Sequence, residues 1–234
     1  MLADRSPDVT HTVAALLDSA DLARNDTRRQ GDELRPLGNK ARRTRASLLH
    51  GAYDCFVRSG YRETSVEAIH TTAGVSIGTF YQYFRDKADV MTTLVAEAII
   101  ESAGTIFPTP GDAPSVARSR EVLTAFVRHY AATAPFQAVW EEATHFDETV
   151  AAFRRGLRGV IEQTIAEQIV EGQRSGDVRA DVDPATAARA LTAMVDRHCY
   201  LTFVDSAACD ETSISLTTDT LVTLWERALG PTPR

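Results

Sequence analysis

At 234 residues and 44% hydrophobic, the chain can bury a real core, and its apolar runs are far shorter than the roughly 18 to 20 residues that span a bilayer. A formal net charge of −7 keeps the body off DNA and membranes, but residues 40 to 90 run against it, with eight basic side chains (Lys40, Arg42, Arg43, Arg45, Arg58, Arg62, Arg85, Lys87) against five acidic ones (Asp54, Glu63, Glu67, Asp86, Asp89). A modestly basic segment on an acidic body can hold phosphate on one face.

Met1 to Asn39 is polar, rich in Asp and Arg, and broken by Pro7, Gly31, Pro36 and Gly38. It reads as an extension with one short helical patch, Val9 to Ala23. The basic start and apolar block of a secretory leader are missing, so the expected location is the cytoplasm. From Lys40 the apolar residues fall three and four apart, with Leu48, Ala52 and Phe56 on one line and Leu49, Tyr53 and Val57 beside it. That spacing predicts an amphipathic helix ending at Gly60. After a turn, Thr64 with Glu67 three residues on predicts the capped start of a short second helix. Gly74 stops that helix, its missing Cβ allowing a left-handed turn before a third helix opens near Ser76. Asp86 caps a fourth, in which Val90, Met91, Leu94, Val95, Ala98 and Ile99 make the buried stripe.

Pro108, Pro110, Gly111 and Pro114 mark a loop, and beyond it the period stays helical. Val122, Phe126 and Tyr130 stripe one helix; Pro135 sits well as the first residue of another that carries Val139 and Trp140. Asp147 caps a long helix through Val150, Phe153, Leu157, Ile161, Ile165 and Ile169, which Gly176 ends. Asp183-Pro184 starts the next, with Leu191, Met194, Val195 and His198. A last helix runs from about Thr212 to Leu229, with Leu221, Leu224, Trp225 and Ala228 inward. The pattern is all-α with about nine helices: an extension over 1–39, a small three-helix domain over 40–86, and a larger helical domain over 87–234. Cys55, Cys199 and Cys209 are widely separated, with no CxxC pair and no histidine at ligand spacing, so they read as reduced thiols with no metal expected.

The segment Ala73-Gly74-Val75-Ser76, then Gly78-Thr79-Phe80-Tyr81, then Tyr83-Phe84 and Lys87, resembles the DNA-binding signature of the TetR family of transcriptional regulators. Leu191 to Phe203 and Leu221 to Gly230 are similar to actinobacterial repressors of that family with a deep apolar pocket. The resemblance implies a helix-turn-helix over Thr64 to Lys87, a homodimer on palindromic double-stranded operator DNA, and release by a small, mostly hydrophobic effector.

The residues also make sense alone. Ile69, Ala73, Val75 and Phe80 are the apolar contacts that lock two helices at a steep angle. A third helix this short cannot bury every aromatic and still turn Thr, Gln and Lys outward, and hydroxyls and an ammonium are good phosphate donors. By the resemblance, Thr79, Tyr81, Tyr83 and Lys87 clamp the DNA backbone, with Arg43, Thr64 and Ser65 beside them. Base reading falls to Ser76, Ile77, Gly78, Thr79 and Gln82: Gln82 can bond an adenine edge and Ile77 can meet a thymine methyl. Ile77 and His70 depart from common family choices, and His70 reads as a residue on the outer face of the second helix or fitted at its edge. Lys40, Arg42, Arg43 and Arg45 at the start of the first helix are unfavourable beside its dipole unless an anion, such as DNA, is near.

For the larger domain, Phe126, Tyr130, Phe136, Trp140, Phe146, Phe153, Tyr200, Phe203 and Trp225 fall at inward-leaning positions with Met194. His129, His145, Thr192, His198 and Thr202 could orient an apolar ligand. The expected effector site is Phe126, Tyr130, Trp140, His145, Phe153, Met194, His198 and Trp225. The resemblance implies that the last two helices pair with their mates in a four-helix dimer bundle. GxSxG, P-loop, GxGxxG and HExxH motifs are all missing, and Glu141 with His145 reads as a helix-surface contact, so neither catalysis nor a cofactor is expected. The alternatives are a ligand-independent or partner-regulated DNA-binding protein of the same fold and, more remotely, a helical enzyme.

Overall fold

The computed structural model describes residues 27–30, 33–36, 38–106 and 116–230. The patch Val9 to Ala23 and the loop Pro108 to Pro114 lie outside them. Nine α-helices stand among the described residues: α1 (Asn39–Glu63), α2 (Val66–Thr72), α3 (Ile77–Tyr83), α4 (Lys87–Ile106), α5 (Val116–Ala132), α6 (Ala134–Phe146), α7 (Glu148–Ser175), α8 (Pro184–Cys199) and α9 (Glu211–Leu229). A short antiparallel hairpin precedes them, β1 (Thr27–Gln30) with β2 (Glu33–Pro36), pairing Thr27 with Pro36 and Gln30 with Glu33. The sequence reading of the extension assigns no strand here, although Gly31-Asp32 between two short runs is a hairpin signal.

Two compact units divide the chain. The first takes α1 to α3, α4 as far as Glu101, and Ala138–Leu157, so it includes the end of α6 and the start of α7. Its core has Leu48, Leu49, Ala52 and Phe56 from α1, Ile69 from α2, Phe80 from α3, and Val90 and Met91 from α4, all buried. Each fully buried Leu or Phe contributes about 1.5 to 3 kcal/mol. Reciprocal caps start α4: Asp86 accepts from the Asp89 amide and Asp89 accepts from the Arg85 amide, both at 2.9 Å. Burial raises the Asp89 carboxyl above its ordinary range, against the Arg85 amide and guanidinium that lower it.

In the second unit α5 packs along α9, with Leu123, Val127 and Tyr130 meeting Val195, Phe203, Leu221 and Val222 in one buried cluster. Arg120 to Asp219 at 2.7 Å, and Arg128 to Glu211, tie the same two helices at the surface. Asp183 caps α8 through the Thr186 amide at 2.9 Å, with Pro184 in the first turn, as the sequence predicts. α8 runs on into a π-helical stretch, Tyr200–Asp205, which sets Phe203 into the core.

Two inward expectations fail on α9. Leu224 is 46% exposed and Ala228 is exposed as well, because Leu221, Val222 and Leu229 supply the face that packs on the chain's own helices and the residues three positions round the helix are left outside. Phe146 is likewise 61% exposed, its ring lying under the Arg62 guanidinium 5.5 Å away.

Candidate nucleic-acid interface

The turn between α2 and α3 is closed by backbone and ring together. Gly74 takes φ +69°, the left-handed region the sequence predicts there. The Val75 amide donates to the His70 carbonyl at 3.0 Å, and His70 Nδ1 donates back to the Val75 carbonyl at 3.0 Å. His70 is therefore a fitted brace of the turn. Gly51, in mid-α1, lets the turn seat, since a Cβ there would lie 3.0 Å from the Ala73 amide nitrogen.

Ser65, not Thr64, caps α2, its Oγ accepting from the Ala68 amide at 3.1 Å. Thr64 is 2% exposed and its hydroxyl donates 2.7 Å to the Gly60 carbonyl, closing the end of α1. The predicted cap is thus one residue early, and the buried Thr64 side chain drops out of the expected phosphate contacts. α1 itself does not stop at Gly60: that residue takes φ +79°, and one further turn follows to Glu63.

Ser76 caps α3 through the Thr79 amide at 3.1 Å. Seven residues make a rod about 10 Å long. Phe80 and Phe84 anchor its inner side, buried with ring centres 5.9 Å apart. On the outer side Ser76, Ile77, Gly78, Tyr81 and Gln82 are exposed, Tyr81 by 57% and Ile77 by 49%, while Thr79 and Tyr83 are half-buried. The Ser76 and Thr79 hydroxyls, 2.9 Å apart, share one hydrogen bond, so one of their two protons is left for an outside acceptor. Of the basic residues opening α1, Lys40, Arg42 and Arg43 are exposed, and Arg45 turns in to pair with Glu97.

Lys87, expected at a DNA phosphate, turns its ammonium instead to backbone carbonyls of its own chain. Its Nζ donates to the carbonyls of Tyr61 (2.8 Å), Arg62 (3.1 Å) and Thr64 (3.0 Å), and stands 4.5 Å from the centre of the Tyr61 ring. An ammonium has three protons, and all three are taken. Burial lowers its pKa, while Asp147, Glu142 and Glu63 pull the other way. The same turn is held from the other side by residues that local patterns did not single out for it. Glu142 accepts from the Tyr61 amide (2.9 Å) and the Arg62 amide (3.0 Å), one carboxylate oxygen each. Tyr61, 2% exposed, donates its hydroxyl to Asp147 at 2.7 Å, and burial pushes its own ionisation far above the ordinary range. Glu142 and Tyr61 are 81 residues apart, so no motif joins them. The only sequence signal is Gly60, where a Cβ would lie 2.8 Å from the Glu142 carboxylate.

The residues expected at an effector site divide between the units. Trp140, His145 and Phe153 belong to the first, where the Trp140 and Phe153 rings meet edge to face at 6.2 Å. His145 is exposed, with Nδ1 donating to the Glu141 carbonyl at 2.8 Å. Phe126, Tyr130, Met194, His198 and Trp225 belong to the second, where Phe126, Met194 and Trp225 lie half-buried against the core. Thr192, on the same helix as Met194, buries its hydroxyl without a hydrogen-bond partner among the described residues.

Two family models match: bacterial regulatory proteins of the tetR family over residues 48–94, and the tetracyclin repressor-like C-terminal domain over residues 112–199. No curated protein matches the chain significantly. Among solved structures, GusR of Salmonella enterica is similar at TM-score 0.65 and 20% identity, over 81% of this chain and 98% of that one. SmeT, the repressor of the Stenotrophomonas maltophilia multidrug efflux pump SmeDEF, is similar at 0.66 and 18%, over 80% and 96%. The fatty acid degradation regulator FadR of Bacillus halodurans is similar at 0.64 and 19%, over 82% and 96%. SmeT has also been solved as a complex with triclosan, similar at 0.66 and 17%, over 80% and 91%.

Proposed function

Because this chain belongs to the TetR family of bacterial transcriptional regulators, we propose that it acts as a homodimeric repressor that places α3 in the major groove of a palindromic operator and leaves DNA when a small, mostly apolar effector binds. The observation that carries the reading is the two-sided α3. Phe80 and Phe84 fix it from within while Ile77, Gly78, Tyr81 and Gln82 form one outward face. Ser76, Ile77, Gly78 and Gln82 are the base readers; Arg43, Ser65, Thr79, Tyr81 and Tyr83 hold phosphates and set the register.

Dimerisation is supported by the outer side of α9, where Leu216 and Leu224 are 67% and 46% exposed at a spacing that lines one face. The effector reading is supported by the half-buried Phe126, Met194 and Trp225 and by the unpartnered Thr192 hydroxyl, a polar group a ligand could satisfy. The test is selection of bound duplexes from a random pool. The wild-type chain enriches a palindrome, and Gln82→Ala loses or changes preference at one base pair per half-site, by about 1 to 3 kcal/mol. A wild-type chain that enriches no sequence, or a Gln82→Ala variant with an unaltered motif, overturns the assignment.

A further inference from the structure

The stretch Gly60 to Thr64 is more than the linker between α1 and α2. It is gripped from two directions by helices that run out of the DNA-binding unit. α4 begins at Lys87, which holds three of its carbonyls, and continues beyond Glu101 into the second unit. α6 and α7 arrive from the second unit and meet at the corner Glu142 to Asp147, which holds its amides and the Tyr61 hydroxyl. Asp147 serves two elements at once: one oxygen accepts from Tyr61, and the other accepts from the Thr149 amide at 2.9 Å to cap α7.

We propose that Glu142 and Asp147 are positioning residues for operator binding: they fasten the α6–α7 corner to the turn after α1 and so fix the direction in which α3 is presented. This rests on the operator-binding reading above. The chemistry suits a fastening that must be directional. A carboxylate accepting from two successive backbone amides fixes both distance and angle, and the close approach is eased at Gly60, where a Cβ would lie 2.8 Å from the carboxylate. No phosphate contact is assigned to either residue, so their loss leaves the DNA-touching surface intact. What is lost is the common orientation two recognition helices need to reach two half-sites together. When only a fraction of molecules holds the competent orientation, apparent affinity falls by that fraction.

The experiment compares the wild-type chain with Glu142→Ala, Glu142→Gln and Tyr61→Phe. Each is titrated against the selected palindrome, a duplex carrying one half-site, and palindromes with one base pair added to or removed from the spacer. Glu142→Ala is expected to bind the palindrome about tenfold more weakly, to bind the half-site within about twofold of wild type, and to discriminate less between spacer lengths. Glu142→Gln, which keeps one carbonyl acceptor, and Tyr61→Phe, which keeps the ring packing, follow in the same direction with smaller losses while retaining the wild-type helical signal. Unchanged affinity for the palindrome overturns the proposal, and so does a parallel loss on palindrome and half-site in the two conservative variants, which would make the contacts mere support for the fold. A wild-type chain that binds no palindrome instead refutes the operator reading itself.

Discussion

Replacing Lys87 by Met separates two physical roles for one side chain. If the ammonium closes the turn after α1, its removal leaves the carbonyls of Tyr61, Arg62 and Thr64 without their shared donor. Hydrogen bonds to a charged group contribute about 1.5 to 3 kcal/mol each, and the cation over the Tyr61 ring adds about 0.5 to 1 kcal/mol. Against this stand the burial cost that lowers the Lys87 pKa and the access of water to the exposed part of the turn. Methionine keeps the stem and its packing, so the net loss is about 2 to 4 kcal/mol. For a chain of this size that is a fall in melting temperature of roughly 5 to 15 °C. The paired assay is operator affinity against salt concentration. A lysine on a phosphate contributes about 0.9 to the slope of log affinity on log salt, whereas a lysine holding carbonyls contributes almost nothing. Lys87→Met is therefore expected to lower the melting temperature and to leave the salt slope unchanged. An unchanged melting temperature with a slope reduced by about one ion refutes the reasoning and restores the lysine to the DNA backbone.

Three other outcomes follow from single sites. Leu216→Glu with Leu224→Glu, on the exposed face of α9, is expected to give a folded monomer by sedimentation that retains half-site binding; a variant that stays dimeric moves the interface elsewhere. Asp210 accepts from the Ser213 amide (3.0 Å) and hydroxyl (2.8 Å), and these bonds hold its carboxyl below the ordinary range. A depressed folded value means the cap stabilises above the ordinary carboxyl pKa of about 3.9 and loses that contribution as pH falls through the folded value. Asp210→Ala therefore melts below wild type at neutral pH, the gap closing in strong acid, and a gap independent of pH contradicts the charged cap. Cys199 is buried, and burial pushes its thiol up to about 12, whereas Cys209 is exposed. A thiol reagent at pH 8 is expected to label Cys209 in the folded chain and to reach Cys199 only on unfolding; equal rates would contradict the packing around Phe203.

Much of this architecture was legible because helices announce themselves locally. Asp86, Asp147 and Asp183 start the helices predicted for them, and Gly74 and Gly176 both take the positive φ of a helix end. The outward face of α3 was legible for the same reason, since a seven-residue helix with two inward aromatics leaves only one side for Ile77, Tyr81 and Gln82. The failures come where a residue answers to something distant. Thr64 looks like a cap, but its carbonyl is held by Lys87, 23 residues on, and its hydroxyl by the turn behind it, which moves the cap to Ser65. Leu224 looks like core because an apolar residue on an amphipathic helix carries no mark of whether its own chain will cover it. Lys87 looked like a phosphate donor because a cation in a basic segment is indistinguishable, by sequence, from one that closes a turn.

The shortness of α3 gives these distant contacts their importance. An isolated helix of seven residues is far below the 12 to 15 at which helices become marginal in water. α3 therefore has no direction of its own: it points where Phe80, Phe84 and the Ser76 cap fix it against the rest of the unit. That unit in turn is built around α1, whose final turn is kinked at Gly60 and held by Lys87 from α4 and by Glu142 and Asp147 from the α6–α7 corner. A displacement of that corner that keeps the Glu142 rotamer and both amide contacts carries the end of α1 with it. Carrying the end of α1 carries α2, because Gly51 brings α1 within van der Waals contact of Ala73. The His70–Val75 bonds then pass the shift across the turn to α3. Within this unit the α6–α7 corner is thus joined to the outward face of α3 through packed contacts and backbone hydrogen bonds.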